Sequence, residues 1–218
     1  MEEIKQSVAQ NESVSVKSTA SGLNAGQGAA FAGTARVVSA DTASKGKGGS
    51  LDVSSLVLVA VLLAAGAILK LTLGSVLSFA GMKPNFIIAM YCLAILLVRP
   101  KLPQSLVIGL LAGCICQIPM LNSTPLLNIP SELLGSLAMG LLVYVPMKIG
   151  KVDANPAVAT FLSTVVSGYT FALIMAASQG IGLVYALGAY ALMVFGTATF
   201  NAILVSVLVV PLRKVLKR

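Results

Sequence analysis

No histidine and no tryptophan occur in this 218-residue chain, and only seven residues are acidic. Without imidazole the chain cannot build Ser-His or Cys-His nucleophilic centres, nor the histidine-based zinc helices of metalloproteases. The acids are also too few and scattered for a paired-carboxylate site, since Glu132 stands alone between Asp52 and Asp153. No Gly-x-x-x-x-Gly-Lys-Ser/Thr run occurs, so the chain has no phosphate loop of its own for ATP. The three cysteines, Cys92, Cys114 and Cys116, all fall in apolar runs. The last two point to different helix faces, so neither a disulfide nor a metal pair is expected. The sequence thus reads as a non-enzyme needing no metal and no cofactor.

Charge is scarce as well. Charged residues make up 10% of the chain against 57% hydrophobic ones, and the mean hydropathy is +0.94, which no soluble surface sustains. An all-α integral membrane protein is the fold class this predicts. The net charge of +8 lies in the N-terminal stretch and beside apolar runs. That is where membrane topology puts basic residues, so the expected partner is a lipid bilayer and not nucleic acid.

Residues 1–52 are rich in Ser, Ala, Gly, Thr and Lys and have no apolar period, so they cannot bury enough surface to offset ordering; a disordered cytoplasmic tail is expected. It has neither the short apolar core of a signal peptide nor the acid-poor composition of a transit sequence. Residues 53–218 form the membrane domain. Six apolar runs are predicted as transmembrane helices, roughly Ser54 to Phe79, Pro84 to Val98, Pro103 to Ile118, Ser131 to Ile149, Pro156 to Ser178 and Gly182 to Leu212. The second and third are short, and prolines at their starts suit a first helical turn. Arg99 and Lys101, then Lys148 and Lys151, then the Arg213 to Arg218 cluster fall in alternate connections. By the positive-inside rule both termini are cytoplasmic in a multi-pass cell-membrane protein, and the Gln117 to Gly140 insert faces outward.

Small residues recur four apart, as in Ala60 and Ala64, Gly109 and Gly113, Ser136 and Gly140, Ser163 and Ser167, and Ala198 and Ala202. Such pairs let helix backbones approach closely in lipid, mostly within the chain, with the chance that one pair meets another subunit. Lys70 lies inside the first run, too deep to snorkel wholly to the interface, so it needs a carboxylate, carbonyls or a wet cavity. Either it pairs with Glu132 to join two helices, or it faces an anionic group of a solute. Lys83 and Asn85 flank the proline that opens the second run. Asn85 either caps that helix or hydrogen-bonds a solute. Asn128, Ser131 and Glu132 gather at the start of the fourth run, as a capping arrangement or as a place for a solute's charged groups. Tyr185 and Tyr190 fall in the outer half of the sixth run, as interfacial anchors or as a stacking surface for a planar solute.

These residues carry a resemblance. The stretches GMKPNFIIAMYCLAILLVRP, IGLLAGCICQIP and LLNIPSELLG make the chain similar to the membrane-embedded tryptophan-uptake family, itself akin to the substrate-binding S components of energy-coupling factor transporters. The likeness runs from the first helix to the fifth. It departs from many tryptophan-type members, which have an acid at the place of Asn85. The resemblance implies a six-helix, S-component-like bundle that binds a small solute from outside, tryptophan or a related amino acid first. It also implies a shared transmembrane coupling subunit with two ATPase subunits, docked at Ala60 and Ala64. Solute contacts are expected from Lys70, Lys83, Asn85, Asn128, Ser131, Glu132 and Tyr185. A stand-alone secondary carrier relaying through Lys70 and Glu132, or an S component for a vitamin-like solute, is the alternative.

Overall fold

Helix α1, Val53–Val76, starts where the Asp52 side chain accepts a hydrogen bond from the backbone N–H of Ser55 at 3.0 Å. This cap satisfies one of the donors a helix start leaves free. The structure is a computed structural model that describes residues 52–77, 84–121, 124–150 and 152–216. Residues 1–51 of the N-terminal tail, Lys83 and Asn122 therefore lie outside the described residues.

After α1 come α2, Ile87–Val98, and α3, Leu102–Ile115. The turn between them is held in place: Arg99 ends α2 with a left-handed φ of 49°, and the Tyr144 hydroxyl lies 2.9 Å from the carbonyl oxygens of both Arg99 and Pro100. A 3-10 turn, Pro125–Leu127, runs directly into α4, Asn128–Leu142. A two-residue antiparallel pairing of Lys148–Ile149 with Val152–Asp153 leads into α5, Asn155–Ser178. Helices α6, Leu183–Ala189, and α7, Ala191–Val215, complete the order.

Four helical stretches are long and apolar enough to cross a membrane: Val53–Gly74, Pro125–Leu142, Asn155–Ser178 and Ala191–Val215. They fit a multi-pass membrane protein. Helices α2 and α3 are apolar but shorter, and α2, with 12 residues, spans only about 18 Å. Its surroundings explain how so short a helix can be so apolar. Helix α2 packs against α1, α3, α4, α5 and α7, and every residue from Ile87 to Leu97 is buried. A helix apolar on all sides belongs inside other helices.

Two expected boundaries are corrected. The fourth run stops at Leu142 and does not reach Ile149, because Pro146 disfavours helix at the residue before it. The Asn155 amide then takes over the end, donating to the carbonyls of Leu142 at 2.8 Å and Val145 at 2.7 Å. The sixth run is two helices, with the break at Tyr190, two residues after the poor helix former Gly188.

The small residues of α3 and α4 face each other. A side-chain carbon on Gly109 would stand 2.6 Å from Ser136 Cβ and 2.7 Å from the Glu132 carbonyl oxygen. One on Gly140 would stand 2.8 Å from Ser105 Cβ. These pairs are therefore internal packing. Ala60 and Ala64, in contrast, are exposed.

Candidate functional site

The polar residues of the bundle converge where the entry to α2 meets α4, α5 and α7. Asn85 ties these elements together. Its backbone carbonyl accepts from Asn201 Nδ2 on α7 at 3.2 Å, and its side-chain Nδ2 donates to Glu132 Oε1 on α4. Asn201 Nδ2 also lies 3.4 Å from the Thr164 hydroxyl on α5. The helix-cap reading of Asn85 is thus corrected: no side chain caps α2, because the Asn85 amide is committed across the bundle to Glu132.

The same correction applies to α4. Asn128 Nδ2 donates back to the carbonyls of Thr124 at 3.4 Å and Pro125 at 3.1 Å, and Ser131 Oγ donates to the Asn128 carbonyl at 3.1 Å. No side chain caps this helix, since the preceding 3-10 turn runs straight into it. The donors of Asn128 and Ser131 are therefore spent, and acceptor lone pairs are what they have left.

Lys70 lies in the same place. It is 1% exposed, and its ammonium donates to the soft sulfur of Cys116 at 3.7 Å. Lys70 and Glu132 interact electrostatically, yet no ion pair joins them among the described residues. A simple Lys70–Glu132 clasp is thus not what holds the helices. Tyr91 and Ser167 also stand beside Glu132. Asn85 Oδ1 is buried without a hydrogen-bond partner among the described residues. A buried acceptor left so costs about 1 to 3 kcal/mol, which a donor entering the cavity would offset.

A cavity of about 40 Å³ opens among these groups, its polar wall formed by Lys70, Asn85, Asn128, Ser131, Thr164 and Ser167. A single water needs roughly 10 to 15 Å³, so the space exceeds that of one water. Ile88, Phe171 and Val194 supply the apolar part of the wall. Pro84, Met193 and Thr197 belong both to this wall and to that of a second, apolar cavity of about 330 Å³ beside Phe86, Gly196 and Phe200. The Phe86 and Phe200 rings meet there with centroids 4.9 Å apart. Polar and apolar spaces therefore adjoin.

Four of the seven solute residues expected from sequence, Lys70, Asn85, Asn128 and Ser131, share this wall. Glu132 is fully buried and sits behind Asn85; it is not among the wall residues. Tyr185 is 72% exposed on α6 and lies away from both cavities, while Tyr190 packs into the small core beneath α6. Lys83 lies outside the described residues. Sequence reasoning missed Thr164, Phe171, Met193 and Thr197 and took Ser167 for a packing residue. The Ser163 and Ser167 repeat held a signal for one of them: Ser163 Oγ donates to the Gly135 carbonyl at 2.7 Å, whereas Ser167 faces the cavity.

On the outside of α1, Ala60, Ala64 and Ala67 line an apolar groove of about 670 Å³ whose far wall is Leu111, Cys114 and Ile118 of α3 and the turn after it. Comparison with known proteins adds no relative: no family model, no curated protein and no solved structure matches the chain.

Proposed function

We propose that this chain is the solute-binding membrane subunit of an importer of the energy-coupling factor type, taking up a small amino acid, with tryptophan the best single candidate. The observation that carries the reading is Lys70, a buried cation on the wall of a polar cavity inside an otherwise apolar bundle. Intramembrane charges are rare and expensive, and they mark solute paths or coupling groups. A solute carboxylate gives this ammonium the partner that a thiol sulfur supplies only weakly. Acceptors at Asn85, Asn128 and Ser131 suit an ammonium beside that carboxylate, and the adjoining apolar cavity suits a side chain.

A thermal-shift screen of the purified protein in nanodiscs against amino acids and vitamins tests this directly. A ligand at 100 times its dissociation constant adds about 2.7 kcal/mol. Stabilisation by tryptophan or a close analogue is the expected result; no shift with any amino acid sinks the proposal, and a shift with vitamins alone moves the solute to that class.

The exposed alanine groove supports docking of a coupling subunit that works with two ATPase subunits. Ala60→Leu or Ala64→Leu is expected to separate the proteins while solute affinity stays within about threefold, because packing distance alone changes. Uptake by the chain in cells lacking any coupling module would favour the stand-alone carrier instead.

The proposed topology has six spans in the cell membrane and both termini in the cytoplasm, which the alternating basic residues support. In a background without Cys92, Cys114 and Cys116, a cysteine at residue 122 should react with an impermeant reagent from outside and one at residue 151 should not. The reverse pattern inverts the topology.

A further inference from the structure

We infer that Glu132 is a positioning residue that never touches the solute: it clamps the Asn85 amide so that Asn85 presents its carbonyl oxygen, and the site thereby reads a hydrogen-bond donor next to the solute's carboxylate. The inference rests on the solute-binding reading and adds to it the division of labour among its polar groups.

An asparagine side chain has one donor end and one acceptor end, and nothing in its shape decides which of them faces a ligand. A carboxylate oxygen decides it here. Glu132 Oε1 accepts, so the NH2 end of Asn85 must turn toward α4, and this is the hydrogen bond found. The opposite end, Oδ1, is then fixed as an acceptor; it is buried and has no partner among the described residues. Asn85 lines the polar cavity and Glu132 does not. Asn201 Nδ2 holds the backbone carbonyl of Asn85 at 3.2 Å and so keeps the residue at the cavity, while turning the side-chain amide end for end would break its bond to Glu132.

Lys70 on the same wall completes the logic. A carboxylate draws to the ammonium, and a donor group one or two bonds from that carboxylate meets the fixed acceptor. A free amide at this position could turn its NH2 to a second carboxylate oxygen just as well, so without Glu132 the site would lose its preference. A buried acid behind a neutral amide is thus a device for specificity, at the cost of desolvating one carboxylate.

The probes are L-tryptophan and indole-3-propionate, which share a carboxylate and an indole and differ in the ammonium. Calorimetry in nanodiscs is expected to give at least a tenfold preference for tryptophan in the native protein and a smaller one in Glu132→Gln, whose amide can accept from Asn85 or turn its own NH2 to Asn85 Oδ1. In Asn85→Leu and in Glu132→Leu the preference for tryptophan over indole-3-propionate should fall to within about threefold. The double variant should lose nothing more. A further tenfold loss in the double variant, or a preference that survives Glu132→Leu, overturns the clamp. Should Glu132→Leu fail to fold, Glu132→Gln placed in the Asn85→Leu background decides the matter: no change supports the clamp, and a tenfold loss means that Glu132 binds the solute itself. If the native protein binds neither probe, the solute reading fails while the clamp is still read from 15N-asparagine NMR. The Asn85 side-chain amide protons should then exchange at least tenfold faster in Glu132→Leu than in Glu132→Gln, and equal exchange refutes it.

Discussion

Lys70→Met is expected to abolish measurable solute binding while leaving the bundle folded. The substitution keeps the length of an unbranched side chain and removes the buried cation that lines the polar cavity. Taking one partner from a desolvated, hydrogen-bonded charge pair costs about 2 to 5 kcal/mol, a loss of affinity between about thirtyfold and a few thousandfold. Folding should suffer less than binding. The ammonium has a weak contact to Cys116 and its attraction to Glu132 to lose, and against these the desolvation cost of burying it disappears. Calorimetry and thermal unfolding of the same preparation separate the two effects. Unchanged affinity in a folded Lys70→Met protein would remove Lys70 from the site and leave the carboxylate without its anchor.

Gly109→Ala should have the opposite signature, a large loss of stability that carries binding down with it. The added carbon would meet the Ser136 hydroxyl, Ser136 Cβ at 2.6 Å and the backbone oxygen of Glu132 at 2.7 Å. A side chain can turn away, but a helix carbonyl cannot, so α3 and α4 have to separate. Overpacking of this kind costs about 1 to 3 kcal/mol. Because the oxygen that is struck belongs to Glu132, the shift displaces the hydrogen bond that holds Asn85. Adding Ser136→Gly removes two of the three clashes and should restore part of the lost stability, with the remainder due to the backbone oxygen. Full stability of the single variant in a denaturation series would show that the two helices do not pack this closely.

Composition alone made the membrane class legible, and each apolar run marked a helix, most within a few residues of its true ends. The exceptions have local causes that hydropathy does not weigh. Pro146 and the reach of Asn155 end α4 early, and the break at Tyr190 divides a run that is apolar throughout. The site was half legible for a related reason. Lys70, Asn85, Asn128 and Ser131 stand out in an apolar sequence because polar groups there demand partners. Thr164 does not, since its hydroxyl already bonds the Thr160 carbonyl one turn back at 2.8 Å, which any membrane helix permits. Phe171 and Met193 look like every other apolar residue until a neighbouring cavity singles them out. The pairing of Glu132 with Asn85 spans 47 positions in the chain, and no local pattern encodes it.

The enclosed central helix also bears on how the protein is made. A segment of 12 residues, about 18 Å long, is too short to settle alone across a hydrocarbon layer of about 30 Å. Its apolar surface is therefore covered by the finished assembly of helices around it. Its walls arrive unevenly, α1 before it on the ribosome and α3, α4 and α5 after it, with α7 last. Until Ala191 and its successors emerge, α2 lacks the wall that α7 supplies, and Asn85 lacks the Asn201 amide that holds its backbone carbonyl. The polar cluster around Asn85 is thus complete only once α7 has been made.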